Sequence, residues 1–259
     1  MMDEQALRRL WLEEERQAHI HGWDFSHLHN RYTEDYQLPW SYEDLVRAAL
    51  TPEKRILDMD TGGGEMLLSF GHPFANTAAT EAYPPNVALC RETLLPLGID
   101  FRQADGCGPL PFADESFDLV LNRHGSFHCG EIFRVLRPGG RFITQQVGGE
   151  NDRELAELVL PEPPPPPNPG QYLAPVREEF SQLGFQILQA DEVFRPIRFY
   201  DVGALVWFAR VIPWEFPDFS VERCFDRLLS AQKLLEQQGW LEGRVHRFLL
   251  VAEKPSAAR

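Results

Sequence analysis

Residues 55–65, RILDMDTGGGE, constrain this chain more than any other stretch. A short apolar run ends in an acid, Asp58, and three glycines follow: Gly62, Gly63 and Gly64. Glycine lacks a Cβ and reaches positive φ at little steric cost, so such a run marks a turn where the backbone comes very close to something. Glu65, Met66, Leu67, Leu68 and Phe70 then open a helix. Strand, glycine loop and helix in that order form the turn where a doubly wound α/β sheet holds a nucleotide-like ligand. A plain tight β-to-α connection has the same local pattern, so the segments C-terminal to the turn decide between the two.

A second short strand, NTAATE, ends in Glu81, where a carboxylate is placed to accept two hydrogen bonds from a ribose diol. Residues 99–106, IDFRQADG, give a third strand ending in Asp105. FDLVLN at 117–122 is a fourth, and LRPGGRFITQQ at 136–146 is a Pro-Gly-Gly turn into a fifth. FQILQADEVF at 185–194 and RVHRFLLVAE at 244–253 read as the sixth and seventh, the latter with a run suited to a buried central position.

Taken together these motifs resemble the class I S-adenosylmethionine-dependent methyltransferases, from about residue 22 to the C-terminus. The family's apolar–apolar–Asp–x–Gly–x–Gly–x–Gly is met as ILDMDTGGG, with one departure: Asp60 stands at the first glycine. TEAYPPN, QADG, FDLVLNR and LRPGGRF match the later family segments in order. The resemblance implies an α/β fold, a doubly wound seven-stranded Rossmann-like sheet with an antiparallel last strand. It implies S-adenosylmethionine lying across the carboxyl ends of the first strands, bound by Asp58, Asp60, Thr61, Gly62, Gly63, Gly64, Glu81, Ala82, Tyr83, Asp105, Gly106 and Asn122. Glu81 falls to the ribose and Asp105 to the adenine. Asp60 would either pair with the cofactor's ammonium or crowd its carboxylate, and we expect weakened but retained binding.

The methyl group projects beyond the fourth strand in this family, which points to residues 122–128, NRHGSFH. His124 is the expected proton acceptor, because an imidazole titrates near ~6.5. Arg123 has the fork geometry to hold an anionic substrate group. Gln146, at the end of the fifth strand, is a further substrate candidate.

Around this frame, residues 1–50 read as an N-terminal helical cap and 51–259 as the methyltransferase domain. Within the latter, 199–241 is a helical insertion between the sixth and seventh strands. DVGALVWFARV at 201–211 is apolar nearly all round, so it must be covered on every side or face a cavity. A substrate lid carrying Tyr200 and Trp207 is one outcome, and plain core packing is the other. Trp40 and Tyr42 stand equally between pocket wall and core.

The formal net charge of −14 opposes a surface built to hold a nucleic-acid backbone. No apolar run is long enough to span a membrane, and the charged N-terminus lacks a signal peptide's apolar core, so a cytoplasmic protein is expected. The four cysteines are scattered without a Cys-x-x-Cys pair, as for reduced thiols. Two His-x-His pairs, His19/His21 and His27/His29, lie in a loop where the rings do not share a face, so no metal site is expected. Five consecutive prolines at 163–167 read as a stiff surface spacer.

The sequence thus points to methyl transfer onto a small-molecule acceptor. An RNA methyltransferase and a non-catalytic cofactor-binding protein of the same fold are the alternatives. A nicotinamide-dependent oxidoreductase leaves Asp105 and the Pro-Gly-Gly turn unexplained. The oligomeric state and the attacking atom have no signature in the sequence.

Overall fold

A computed structural model describes residues 3–19, 24–162, 164–165 and 168–256. His21 and Trp23 of the histidine-rich loop, and three of the five consecutive prolines, lie outside the described residues. In chain order the first elements are α1 (Glu4–Gln17), β1 (Tyr32–Glu34), α2 (Tyr42–Ala49), β2 (Ile56–Met59), α3 (Glu65–Ser69) and β3 (Thr77–Glu81). Then come α4 (Pro84–Thr93), β4 (Asp100–Gln103), β5 (Phe117–Arg123), α5 (Cys129–Val135), β6 (Leu136–Val147) and α6 (Arg153–Val159). The last are α7 (Leu173–Gln182), β7 (Gln186–Phe199), α8 (Val202–Val211), α9 (Val221–Gln238) and β8 (Leu241–Glu253). The strand order is β1-β7-β8-β6-β5-β2-β3-β4.

The chain divides into two compact units, one drawn from residues 1–37, 148–168 and 194–246, the other from 38–147, 169–193 and 247–259. In the second unit β6, β5, β2, β3 and β4 are parallel, and β8 runs antiparallel to β6 from Arg141↔Glu253 to Val147↔Arg247. Side chains alternate across this sheet as the two-residue period of a strand requires. Leu57, Ala78, Val120, Phe142 and Leu250 pack on one face with α5 and α7. Ile56, Ala79, Leu121, Ile143 and Leu249 pack on the other with α2, α3 and α4. Both faces are covered, so the strands read as near-continuous apolar runs. Ser41 Oγ accepts from the Asp44 N–H at 3.2 Å and caps α2, and Pro84 opens α4, where its missing N–H is harmless.

The first unit has its own core, built from α1, α6, α8, α9 and the strand residues Ile197 and Phe199. Arg31 donates to Asp201 through Nε at 2.9 Å and Nη2 at 2.7 Å, and to Glu14 at 2.7 Å. Asp201 also accepts from the Ala204 N–H at 2.7 Å, so one ion-pair cluster both holds α1 and caps α8.

Three expectations are revised. The sheet has eight strands, because residues 32–34 add β1 antiparallel to the end of β7, with Tyr32 opposite Phe199. Three residues are too few to show any periodicity in sequence. The 1–50 segment is not one element: α2 belongs to the second unit and α1 to the first. Finally, α8 is apolar all round because its own unit covers it all round. Trp207 is 1% exposed, stacks on His27 at 5.0 Å, lies edge-on to Phe25 at 6.1 Å and donates its indole N–H to the Gln17 carbonyl. It is a core residue and has no face to offer a substrate.

Trp207→Ala should therefore destabilise the protein by about 3–5 kcal/mol in urea unfolding, the range for a buried large-to-small change. A loss below ~1 kcal/mol would indicate a solvent-facing lid residue instead.

Candidate active site

The carboxyl ends of β2, β3 and β5 bring the acids and glycines of the motifs together within the second unit. Backbone geometry comes first. The Thr61 N–H donates to the Thr80 carbonyl at 3.0 Å, tying the loop after β2 to β3. Gly62 at φ +64° and Gly64 at φ +86° take the left-handed conformation that turns the chain into α3. A Cβ at Gly64 would lie 2.8 Å from a Leu94 methyl, so a side chain there would also have to displace Leu94.

Glu81 is buried and holds this arrangement. Its Oε1 accepts from the Ala82 and Tyr83 N–H groups at 2.9 Å each, and its Oε2 from the Gly62 N–H at 2.8 Å. The fourth contact, from the Asn86 amide to Oε2, is long at 3.4 Å. Asp58 is buried at the end of β2 and accepts from the Thr61 hydroxyl at 2.6 Å. Burial pushes its carboxyl up to about 7; the charges of Asp60 and Glu81 add to the rise, while the Thr61 bond and Arg123 oppose it.

Asp60 adopts φ +53°, a left-handed conformation that aspartate tolerates better than most residues. Its side chain lies where two other glycines leave room. A Cβ at Gly125 would sit 2.5 Å from the Asp60 carboxylate, and one at Gly106 would sit 3.3 Å from it and 2.0 Å from the Ser126 carbonyl. Burial, then the charges of Glu81 and Asp105, push the Asp60 carboxyl up to about 6, against a bond from the Ser126 backbone. Asp105 itself accepts from the Cys107 N–H at 2.9 Å and shapes the loop after β4.

Three of the expected site residues, Asn122 on β5, His124 after it and Gln146 on β6, make structural contacts here. Asn122 is fully buried and scaffolds the strand ends: its amide donates to the Met59 and Ser126 carbonyls, and its Oδ1 accepts from Thr144 and Gln146. The Gln146 amide is engaged in the same knot, with Asn122 Oδ1 at 2.5 Å, Thr144 Oγ1 at 2.7 Å and the Gly125 carbonyl at 3.1 Å. Both side chains help build the site, and Gln146 Oε1, which enters none of these bonds, keeps its acceptor capacity. His124, at φ +61°, is held by its N–H on the Gln145 carbonyl at 2.9 Å. His124 is exposed as a residue, although protein packs around its ring. Desolvation, then the positive charges of Arg123 and Arg247, push the imidazole down to about 3. The solvent contact tempers the desolvation, but all three causes act in one direction. A base works best with a pKa near the operating pH, and this downward shift runs against the proton-accepting role expected of His124.

Arg123 is exposed and reaches Met66 Sδ at 3.7 Å, close enough to influence Asp58 and His124. Tyr200 and Trp207 belong to the first unit, where Tyr200 Oη pairs with Thr33 Oγ1 at 2.9 Å. Trp40 and Tyr42 belong to the second unit. Tyr42 is buried near enough to Asp58 and Arg123 to feel both charges. The Trp40 indole donates to Gln145 Oε1 at 2.8 Å, a partner 105 residues away that no local pattern announces. Among the described residues, no group of three or more His, Cys, Asp or Glu is placed to hold a metal ion, and no helix is long and apolar enough to cross a membrane.

Residues 57–144 match the family model described as a methyltransferase domain. The demethylmenaquinone methyltransferase of Thermus thermophilus is 32% identical over 140 residues, covering 50% of this chain and 56% of that protein. The phthiotriol/phenolphthiotriol dimycocerosates methyltransferase of Mycobacterium tuberculosis is 37% identical over 118 residues, covering 41% of this chain and 43% of that protein. The chain thus spans about half the length of these curated relatives. A solved Deinococcus radiodurans protein of unknown function superposes with a TM-score of 0.57 at 20% identity, over 96% of this chain and 99% of its own. A solved Bacillus halodurans protein gives 0.57 at 19%, over 83% and 99%. At such identities the structures speak for the fold alone.

The raised carboxyl of Asp58 makes stability depend on pH. Its folded-state pKa, about 7, exceeds its ordinary 3.8, so its contribution is complete at low pH and is lost as the pH rises through about 7. Asp58→Asn should melt near the wild type at about pH 4 and above it at about pH 8 in thermal unfolding of the ligand-free protein. An offset that is the same at both pH values would show Asp58 titrating normally.

Proposed function

We propose that this chain, whose residues 57–144 match the methyltransferase-domain model, is a class I methyltransferase that binds S-adenosylmethionine at the acid-and-glycine cluster and methylates a small molecule. The observation that carries it is the buried Glu81 carboxylate, bonded to Gly62, Ala82 and Tyr83 at the carboxyl ends of two parallel strands. In an open α/β sheet ligands bind beyond those ends. The long Asn86 contact leaves Oε2 with acceptor capacity that a ribose hydroxyl would use. Gly62, Gly63 and Gly64 would let the backbone approach the cofactor, the exposed Tyr83 ring would offer a stacking surface, and Asp105 with Gly106 would face the adenine.

The donor set also fits by charge. Asp58, Asp60, Glu81 and Asp105 crowd the cluster with negative charge, and the raised carboxyls of Asp58 and Asp60 mark a place that favours a cation. When bound, the cofactor's sulfonium supplies an electrophilic methyl group. The chain's own part is to align the acceptor and exclude water, which accounts for much of the barrier lowering in such a displacement. Arg123, at the end of β5, would orient an anionic acceptor. The names of the relatives give demethylmenaquinone and phthiotriol/phenolphthiotriol dimycocerosates as their substrates. Those substrates and the net charge of −14 favour a small molecule over RNA.

Calorimetry should show binding of S-adenosylmethionine or S-adenosylhomocysteine, and Glu81→Ala should weaken it by ~1.5–3 kcal/mol, as for a charge-assisted hydrogen-bonding partner. Unchanged affinity in that variant, or preference for a nicotinamide dinucleotide, would sink the assignment.

Asp60 stands where the family has glycine, and its carboxylate would repel that of the cofactor's amino-acid end. Asp60→Gly should therefore bind S-adenosylhomocysteine more tightly than the wild type does. A lower affinity would make the Asp60 carboxylate a true ligand of the ammonium group.

A further inference from the structure

One chain of contacts in the second unit has a direction built into it. Indole nitrogen is a donor and never an acceptor, so the Trp40 Nε1–H at 2.8 Å must meet the oxygen of the Gln145 amide. That choice assigns the other end of the amide, since oxygen and nitrogen positions follow from the network they join. Gln145 Nε2, a donor only, faces His124 Nε2 at 3.2 Å. The ring nitrogen there has to accept, which leaves the ring proton on Nδ1. Among the described residues Nδ1 has no hydrogen-bond partner.

We infer that Trp40 and Gln145 are positioning residues that hold His124 as its neutral Nδ1–H tautomer, so that the loop after β5 offers a bound molecule a hydrogen-bond donor and not a base. The surroundings act the same way. Protonating Nε2 would set two donors face to face between the ring and Gln145, and the charged groups that act on the ring, Arg123 on β5 and Arg247 on β8, are both cations. Gln145 is buried and Trp40 half-buried, so neither amide nor indole is free to choose a new partner in water. A donor beside the Arg123 guanidinium suits an acceptor molecule presenting an anionic or carbonyl oxygen. An attacking atom that must lose a proton would lose it elsewhere. The role in methyl transfer rests on the function proposed above; the tautomer does not.

The test is heteronuclear NMR of the imidazole nitrogens in isotope-labelled, full-length protein, with the His124 signals assigned by their absence in His124→Asn. The wild type should show one neutral tautomer, protonated at Nδ1, from about pH 5 to about pH 8. Trp40→Phe frees the amide to rotate, and the Nε2–H tautomer should then rise several-fold. Gln145→Leu removes the donor that faces the ring's Nε2 and should bring the titration closer to the ~6.5 of a free imidazole. An Nε2–H tautomer in the wild type, protonation near ~6.5, or tautomer ratios that neither variant alters would each overturn the inference. Repeating the spectra with S-adenosylhomocysteine separates the two claims. A protein that fails to bind it yet keeps the Nδ1–H tautomer refutes the proposed function and leaves the positioning network standing.

Discussion

A single buried carboxylate, that of Glu81, holds the candidate site in shape. It gathers N–H groups from two segments, Gly62 in the glycine loop and Ala82 and Tyr83 after β3. Backbone donors at the ends of strands have no ladder partner, and burying them unpaired is expensive. Glu81 satisfies three of them at once and thereby sets the distance between the loop and the second strand. Its charge then propagates. Burial raises the carboxyls of Asp58 and Asp60 first, and the Glu81 charge adds to the rise in both.

Asp60 shows how one departure from a motif is absorbed. A side chain at that position demands a left-handed backbone and a place for a carboxylate. The place exists because Gly125 and Gly106 have no Cβ to fill it. The three positions are therefore coupled sterically, although they come from the ends of three different strands. A substitution at either glycine would meet the Asp60 side chain or the neighbouring loop backbone before it met any ligand.

The polar residues around the β5 and β6 ends divide by the same accounting. Asn122 and the Gln146 amide N–H groups are bonded to each other, Thr144 and nearby carbonyls, and tie the strand ends together. Gln145, one residue away on the opposite face, links Trp40 to His124. The strand's period of two decides which glutamine scaffolds and which positions. Side-chain chemistry is identical in the two cases, and only the face differs.

Much of the frame was legible in the chain itself. Alternation in FDLVLN, the Pro-Gly-Gly turn and the acids that end successive strands mark the parallel sheet and its ligand-binding end. These are local signals, since strand period, turn chemistry and glycine each act within a few residues. Helix ends were equally readable where caps are local, as at Ser41 with Asp44 and at Pro84. What the fold alone decided depends on partners far apart in sequence. The all-round apolar α8 was compatible with a lid or a core helix, and the packing of α1, α9 and His27 made Trp207 core. His124 has the ordinary composition of a base, and its neutral state depends on Arg247, Gln145 and Trp40, brought to it from β8, β6 and the segment before α2. Burial and proton affinity are properties of the whole surroundings of a group, and no pattern of neighbours along the chain encodes them.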